Sequence, residues 1–514
     1  MTDTVQGLTG MLRPLDILAI VMFFAVMAWI GIYAAKKNKS TEAYFVGSRS
    51  FPGWAVGLSM LGTSLSSITF LALPAAAYSL DYRNIVPNMM LPIVAVVAIL
   101  LFIPIFRRGH IISVFEYLES RFGQLSRLYS SISFLFLQII RLCTVLFLVA
   151  IPMSLITGQS IILIIIITGI IIGFYTVLGG IEAVIWTDVV QTFVLLGGGL
   201  LCLILVIADI PGGLGKVIEI GVANNKFSIG DISFSLTERT FLMMMILGLI
   251  NFTTEYISNQ NVIQRYIAAK STREARKATI ICAATSVPSW LLFFFIGTCL
   301  YGYYTVLANP AVKAMNADQV MPYFILTKIP AGVAGIILAG CLAAAMSTLS
   351  SSISAMSSVA TVDIFERYLF KNKSDKFYLK IGRLCSFTAV ILMIIGAIIF
   401  NFIPRENMVD LGFILAGMFG GCILGIYLLG FFTVRVSNLA LVIGMITAIA
   451  MNIYLMLDEF NCFSASLSLN LNSYYIVILV NLTIVIISLL LSIFLPCRKN
   501  LDDLTVWTMK KKDK

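Results

Sequence analysis

A single arginine inside an apolar stretch is the residue with the most chemistry to explain. Arg141 lies among Leu135, Phe136, Ile139, Ile140, Leu142 and Leu146. A charge at the centre of a membrane helix costs roughly 2.5–3.5 kcal/mol on insertion scales and faces a partner or a watery path. Its planar fork fits a carboxylate. Two readings stand: recognition of a substrate carboxylate, and a structural ion pair for which Glu255 is available.

Three further segments carry polar groups where lipid-facing helix would have none. Gly62-Thr63-Ser64-Leu65-Ser66-Ser67-Ile68-Thr69-Phe70 packs five hydroxyls before Pro74, and Asn251-Phe252-Thr253-Thr254-Glu255-Tyr256-Ile257-Ser258-Asn259-Gln260-Asn261 is its counterpart further on. Both predict helices interrupted at bilayer depth, which is tolerated where backbone lines an enclosed cavity. Small-residue helix packing is the alternative for the first. In the third segment, Ser347, Ser350, Ser351 and Ser354 fall on one helical face. A hard cation such as Na+ takes several oxygen ligands, on the logic that gives calcium its shell. Hydroxyls plus carbonyls freed by a broken helix supply them; packing explains the stripe equally well. Asp188, in Trp186-Thr187-Asp188, reads either as a carboxylate at a helix start, favoured by the dipole, or as an anionic ligand for a second sodium.

The elements that position these residues are membrane helices. Hydrophobic residues make up 59% of the 514 positions and charged residues 12%, against about a quarter charged in soluble domains. Apolar runs of about 20 residues, long enough to cross roughly 30 Å of hydrocarbon, recur throughout. We read thirteen spans at about 15–35, 52–79, 85–106, 127–156, 160–178, 186–209, 240–262, 275–305, 329–360, 380–402, 407–432, 437–457 and 472–496. Lys and Arg accumulate on the cytoplasmic side. With the N-terminus outside and the C-terminus inside, the large majority of the 35 basic residues fall in cytoplasmic segments, Arg265 among them. The first run is of full span length and lacks the basic leader and small-residue cleavage site of a signal peptide.

Several function classes are excluded. The net charge of +10 follows from basic loops beside spans and does not imply nucleic-acid binding. Nine scattered cysteines and one histidine, His110, offer no metal spacing. No Gly-rich phosphate loop followed by Lys-Ser/Thr occurs, so ATP-driven pumping is not expected. An enzyme is not expected either, for want of paired catalytic carboxylates. Polar breaks in spans 2 and 7, five apart, point to an inverted-repeat transporter with a midplane site; a gated channel is the rival from another class.

With these residues in view, the chain resembles the sodium:solute symporter family along essentially its full length. The resemblance rests on Tyr44-Phe45-Val46-Gly47 leading to Pro52-Gly53-Trp54, on Gly179-Gly180-Ile181-Glu182-Ala183-Val184-Ile185-Trp186-Thr187-Asp188-Val189-Val190-Gln191, on Gln264-Arg265-Tyr266 and on the Ala/Ser run after Ala343. It implies an all-α polytopic inner-membrane protein of thirteen helices, with a leucine-transporter-like inverted repeat of five plus five helices, one extra helix before and two after. The segments are then 1–51 (outside N-terminus, first helix and cytoplasmic loop), 52–209 (first repeat), 210–239 (extracellular loop), 240–432 (second repeat), 433–496 (two extra helices) and 497–514 (basic cytoplasmic tail). Within the family the sequence is most similar to bacterial sialic acid symporters. That likeness implies sodium-coupled import of a small acidic sugar, sialic acid first, by alternating access. Its main sodium site takes carbonyls of Gly62, Leu65 and Ala344 with hydroxyls of Ser347 and Thr348. A second uses Asp188, Ser347, Ser350 and Ser351. Substrate contacts come from Ser66, Ser67, Thr69 and Arg141, and from Asn88, which stands where that branch has a glutamine. A neutral sugar or a monocarboxylate stays open as the cargo.

Overall fold

The computed structural model describes residues 12–108, 111–233, 240–313, 315–403, 421–459 and 474–508. His110, Cys462 and the first part of the 407–432 span lie outside the described residues. Fourteen of its helices are labelled here. They are α1 (Pro14–Ala35), α2 (Gly53–Ser64), α3 (Ser67–Ser79), α4 (Arg83–Arg107), α5 (Gln124–Thr157), α6 (Ile161–Asp209), α7 (Phe241–Ser258), α8 (Gln260–Ala268), α9 (Thr272–Leu307), α10 (Val333–Leu369), α11 (Asp375–Phe400), α12 (Ile423–Phe432), α13 (Asn438–Glu459) and α14 (Tyr474–Phe494). Among the described residues the structure is helical, with two isolated bridges as the only β pairing. Among the described residues, ten helices are long and apolar enough to cross a bilayer, or eleven if the bent pair α2–α3 counts as one span. Backbone groups have no water to bond in hydrocarbon, so helices are what such a sequence can form there.

Both polar segments that the sequence marks as breaks are breaks. α2 and α3 meet at 52°. Leu65 (φ −92°, ψ 104°) and Ser66 (φ −102°, ψ 180°) are extended between them. Asn259 (φ −90°, ψ 118°) divides α7 from α8 in the same way. A third discontinuity lies inside α6, where Gly180 (φ 52°, ψ −153°) separates the spans read at 160–178 and 186–209. That backbone is open only to glycine. Its neighbours are pinned from the end of α1: Asn38 Nδ2 donates to the Gly179 carbonyl at 2.6 Å and Lys37 pairs with Glu182 at 2.7 Å.

α10 is the axis of the molecule. Its most apolar stretch is 89% buried, whereas none of the other nine long apolar helices exceeds 50%. α6, α1, α5 and α11 pack round it, and both halves of the broken helix touch it. Alanines and serines along α10 allow this close approach, as small residues do in membrane packing. Both halves of the broken helix also rest on α9, which carries Pro288 in its interior. A Cβ on Gly57 of α2 would lie 2.8 Å from the Ala278 carbonyl, and one on Gly297 would lie 2.2 Å from the Pro74 carbonyl of α3. Gly297→Ala therefore forces backbone apart. We expect it to cost about 1–3 kcal/mol, read as a lowered midpoint of thermal unfolding in detergent.

The end of the molecule that carries the 111–127 segment is tied by ions. A short helix, Phe115–Phe122, precedes α5. Arg127 bridges Asp363 of α10 and Glu119, both at 2.6 Å, while Arg367 also reaches Glu119 and Ser113 donates to Asp363. Burial pushes the Glu119 carboxyl up, but hydrogen bonds from Arg127 and Arg367 outweigh it and hold the group below its ordinary value. Gln260, the first residue of α8, closes the same end by accepting from Val114 N at 2.9 Å and donating to Ile112 O at 2.8 Å.

Candidate functional site

The last carbonyls of a helix have no partner within it. At the end of α2 this is compounded by the break: the Ser66 amide, which would close on Gly62 in a continuous helix, turns to Thr69 Oγ1 at 3.3 Å. The Gly62 carbonyl then accepts from Ser347 Oγ of α10 at 2.7 Å. Ser347 also reaches the Ala344 carbonyl at 3.2 Å, and Thr348 Oγ1 donates to Ala344 O at 3.3 Å and Thr63 O at 3.4 Å. Four of the five groups expected at the main cation site are thus gathered at one point, and Leu65, the fifth, is the extended residue beside them. Oxygens about 2.4 Å from a hard cation stand about 3.4 Å from one another, so these separations suit a small ion with little rearrangement. Thr63 was missed in the sequence reading, although it sits in the same hydroxyl run.

The second expected cluster is assembled differently. Asp188 is fully buried. Its Oδ2 accepts from Ser59 Oγ at 2.6 Å, from Arg265 Nη2 at 2.7 Å and, weakly, from Ser351 Oγ at 3.5 Å. Ser351 Oγ in turn accepts from Arg265 Nη2 at 2.6 Å and lies 3.0 Å from Thr63 Oγ1. Ser350 donates to the Ser347 carbonyl at 3.3 Å and makes no hydrogen bond to Asp188, while Ser347 itself stands at the first cluster. Of these serines, Ser351 is the one that hydrogen-bonds Asp188 directly. It also corrects the place of Arg265, which the sequence reading counts among cytoplasmic loop charges. Arg265 lies on α8 and is 1% exposed. Positive-inside counting cannot see that a basic residue a few positions past a span lies on a buried half-helix. Ser59, one turn before Thr63, was missed for the simpler reason that it stands outside the obvious hydroxyl run.

The residues expected at the substrate lie at the break before α3 and on α3, α4 and α5. α3 and α5 pack on each other and on α10, and the opening turns of α4 pack on α7. Arg141 is half-buried and makes no hydrogen bond or ion pair among the described residues. Glu255 is half-buried and accepts from Asn259 Nδ2 at 2.7 Å. The Arg141–Glu255 pair offered by the sequence is not formed. Ser66 is half-buried at the break, Thr69 is buried one turn into α3, and Asn88 is half-buried in the first turns of α4. Ser67 opens α3, and its side chain lies outside the described residues.

The chain is similar to known proteins in sequence and fold. The model of the sodium:solute symporter family matches residues 44–448. The sodium/sialic acid symporter NanT of Aliivibrio fischeri is 32% identical over 437 residues, 85% of this chain and 86% of that one. The sodium/sialic acid symporter SiaT of Proteus mirabilis is 33% identical over 428 residues, 83% of this chain and 86% of its own length. A substrate-bound, outward-open structure of a Na+-coupled sialic acid symporter, described as revealing a novel Na+ site, superposes with a TM-score of 0.88 at 30% identity. It covers 95% of this chain and 99% of its own.

Proposed function

This chain belongs to the sodium:solute symporter family, and on that premise we propose that it imports sialic acid across a bacterial inner membrane, driven by sodium. The observation that carries the substrate class is Arg141: a half-buried guanidinium, on a helix packed against the broken helix, with no protein acceptor among the described residues. A cation held that way calls for an anion from outside the protein. Glu255, which would neutralise it in a neutral-sugar carrier, is engaged by Asn259 instead. The sequence likeness to two sodium/sialic acid symporters supports the same cargo.

Thirteen spans organised as an inverted repeat fit the geometry. The breaks at Leu65–Ser66 and at Asn259 fall in spans five apart, Gly180 divides α6 into two crossings, and α12 lies within the span read at 407–432. The N-terminus is outside and the C-terminus cytoplasmic, by the distribution of Lys and Arg. Sodium bridges α2 and α10 through Gly62, Leu65, Ala344, Ser347 and Thr348, and so fixes the break in the shape that presents Ser66, Ser67 and Thr69. The acidic sugar docks on Arg141, with Asn88 beside it. A second sodium at Asp188, Ser347, Ser350 and Ser351 would make each cycle carry net positive charge inward, with about 2.3 kcal/mol per charge per 100 mV to drive it.

The test is uptake of radiolabelled N-acetylneuraminic acid into proteoliposomes. Accumulation is expected only with an inward sodium gradient and is expected to rise when the lumen is made electrically negative. Uptake indifferent to sodium, or flux that never exceeds equilibrium, would reject a coupled importer of this sugar in favour of another cargo or a channel.

A further inference from the structure

Arg265 is oddly placed for a structural ion pair. Its Nη2 lies 2.7 Å from Asp188 Oδ2 and 2.6 Å from Ser351 Oγ, two of the ligands of the proposed second sodium site. That is where a cation bound by both residues would have to sit. Nε donates to Ser59 Oγ at 2.8 Å, and Ser59 passes the interaction on to the same carboxylate oxygen at 2.6 Å. Both charged side chains are almost completely removed from solvent. A sodium ion added beside the intact pair would crowd two positive charges onto one carboxylate in a medium that screens them poorly.

Three details separate this pair from a permanent strut. Asp188 is not saturated, because its Oδ1 is buried with no hydrogen-bond partner among the described residues. Arg265 stands on α8, a half-helix separated from α7 by the extended Asn259, whereas Asp188 and Ser351 stand on the long helices α6 and α10. Finally, Arg265 has a second set of acceptors that travels with it. Nη1 donates to Asn261 O at 2.6 Å within α8, and Asn261 Oδ1, one turn away, is buried and unpartnered. A guanidinium drawn back with α8 keeps one bond and can gain another.

We infer that Arg265 is a tethered cation that changes places with the second sodium ion on Asp188. It rests on the second site proposed above. With sodium absent, Arg265 compensates Asp188, so the empty carrier turns over without an isolated buried charge. Sodium arriving at Asp188 and Ser351 displaces the guanidinium toward Asn261. When α8 returns it, the ion loses its carboxylate and leaves. The arginine thus sets sodium affinity at this site and gives the ion a route off it.

The exchange is read from purified protein, without transport. Thermal unfolding and equilibrium binding of radioactive sodium are followed as sodium replaces choline at constant ionic strength, for wild type, R265Q, R265K and the double variant D188N/R265Q. Removing the competitor is expected to lower the sodium concentration for half-saturation at this site on the order of tenfold. R265Q should be destabilised in choline and recover in sodium, with a steeper sodium dependence than wild type. R265K, which keeps the charge but not the fork, should fall between them. D188N/R265Q should lose both the tight site and the instability in choline. R265Q with unchanged or weaker sodium binding, or unfolded at every sodium concentration, would overturn the exchange and leave Arg265 a strut. Wild type with no sodium-linked stabilisation at all would overturn it together with the sodium sites beneath it, a distinguishable result.

Discussion

Arg141→Ala is expected to abolish sodium-driven accumulation of N-acetylneuraminic acid while leaving the protein folded. In wild type the substrate carboxylate would meet a half-buried guanidinium that has no acceptor among the described residues. Truncating one partner of such a desolvated, hydrogen-bonded charge pair costs about 2–5 kcal/mol. That is roughly two to three powers of ten in affinity, enough to take uptake below detection at micromolar sugar. Because no group among the described residues depends on Arg141 for a hydrogen bond, the folded state is expected to lose little. Arg141→Lys restores the charge without the bidentate fork and should recover a small part of the uptake. The methyl ester of the sugar offered to wild type should behave like the acid offered to Arg141→Ala. If the ester and the acid are carried equally well by wild type, the carboxylate is not what Arg141 reads.

The second large effect is expected from Ser347→Ala with Thr348→Ala. These hydroxyls gather the Gly62, Thr63 and Ala344 carbonyls at 2.7–3.4 Å. Their loss takes two ligands from the cation and leaves the Gly62 carbonyl, already deserted by the Ser66 amide, with no donor. Sodium for half-maximal uptake should rise at least tenfold. Since ion and sugar share the broken helix, sugar affinity at fixed sodium should fall by the coupling factor, which is typically 5–150-fold. Linkage requires the same factor in the other direction, and sodium binding with and without sugar measures it. Uptake that keeps its sodium dependence in the double variant would remove the main site from α2 and α10. A stability loss alone, of about 1–3 kcal/mol for the orphaned carbonyl, would show as lowered unfolding temperature with unchanged half-saturation.

Much of this molecule could be read before any coordinates. The spans follow from hydrophobic run length, and the two breaks from clustered hydroxyls, amides and proline at depths where lipid tolerates none. Arg141 announced itself for the same reason: an isolated charge in an apolar helix has few explanations. The ligands of the main cation cluster come from the family resemblance; helix periodicity alone gives only a stripe of Ser347, Ser350, Ser351 and Ser354 that packing explains equally well. The sequence carries no such signal for Arg265. Its charge was absorbed into a count that treats each basic residue outside a span as a topological marker, and α8 begins where the hydrophobic run fades. That Ser350 turns to its own helix while Ser351 faces Asp188 is a matter of a 100° rotation between neighbours, which residue type does not disclose. Gly180 could be read as a turn between two spans, but not as a position whose φ of 52° and ψ of −153° forbid any other residue.

The contacts of α9 with the broken helix have a mechanical consequence. α2 is seated on α9 at Gly57 and Ala278, α3 is seated on it at Pro74 and Gly297, and both seats are backbone against backbone. Neither half can slide along α9, so the two elements behave as rods riveted side by side at two points. Flexing one at Leu65–Ser66 obliges the other to flex between the same rivets. Midway along that stretch of α9 stands Pro288, which lacks the amide that would have bonded the Ala284 carbonyl and so softens the rod there. The molecule has matched a joint in one member with a weak point in the other, and the pair bends as a single compound lever.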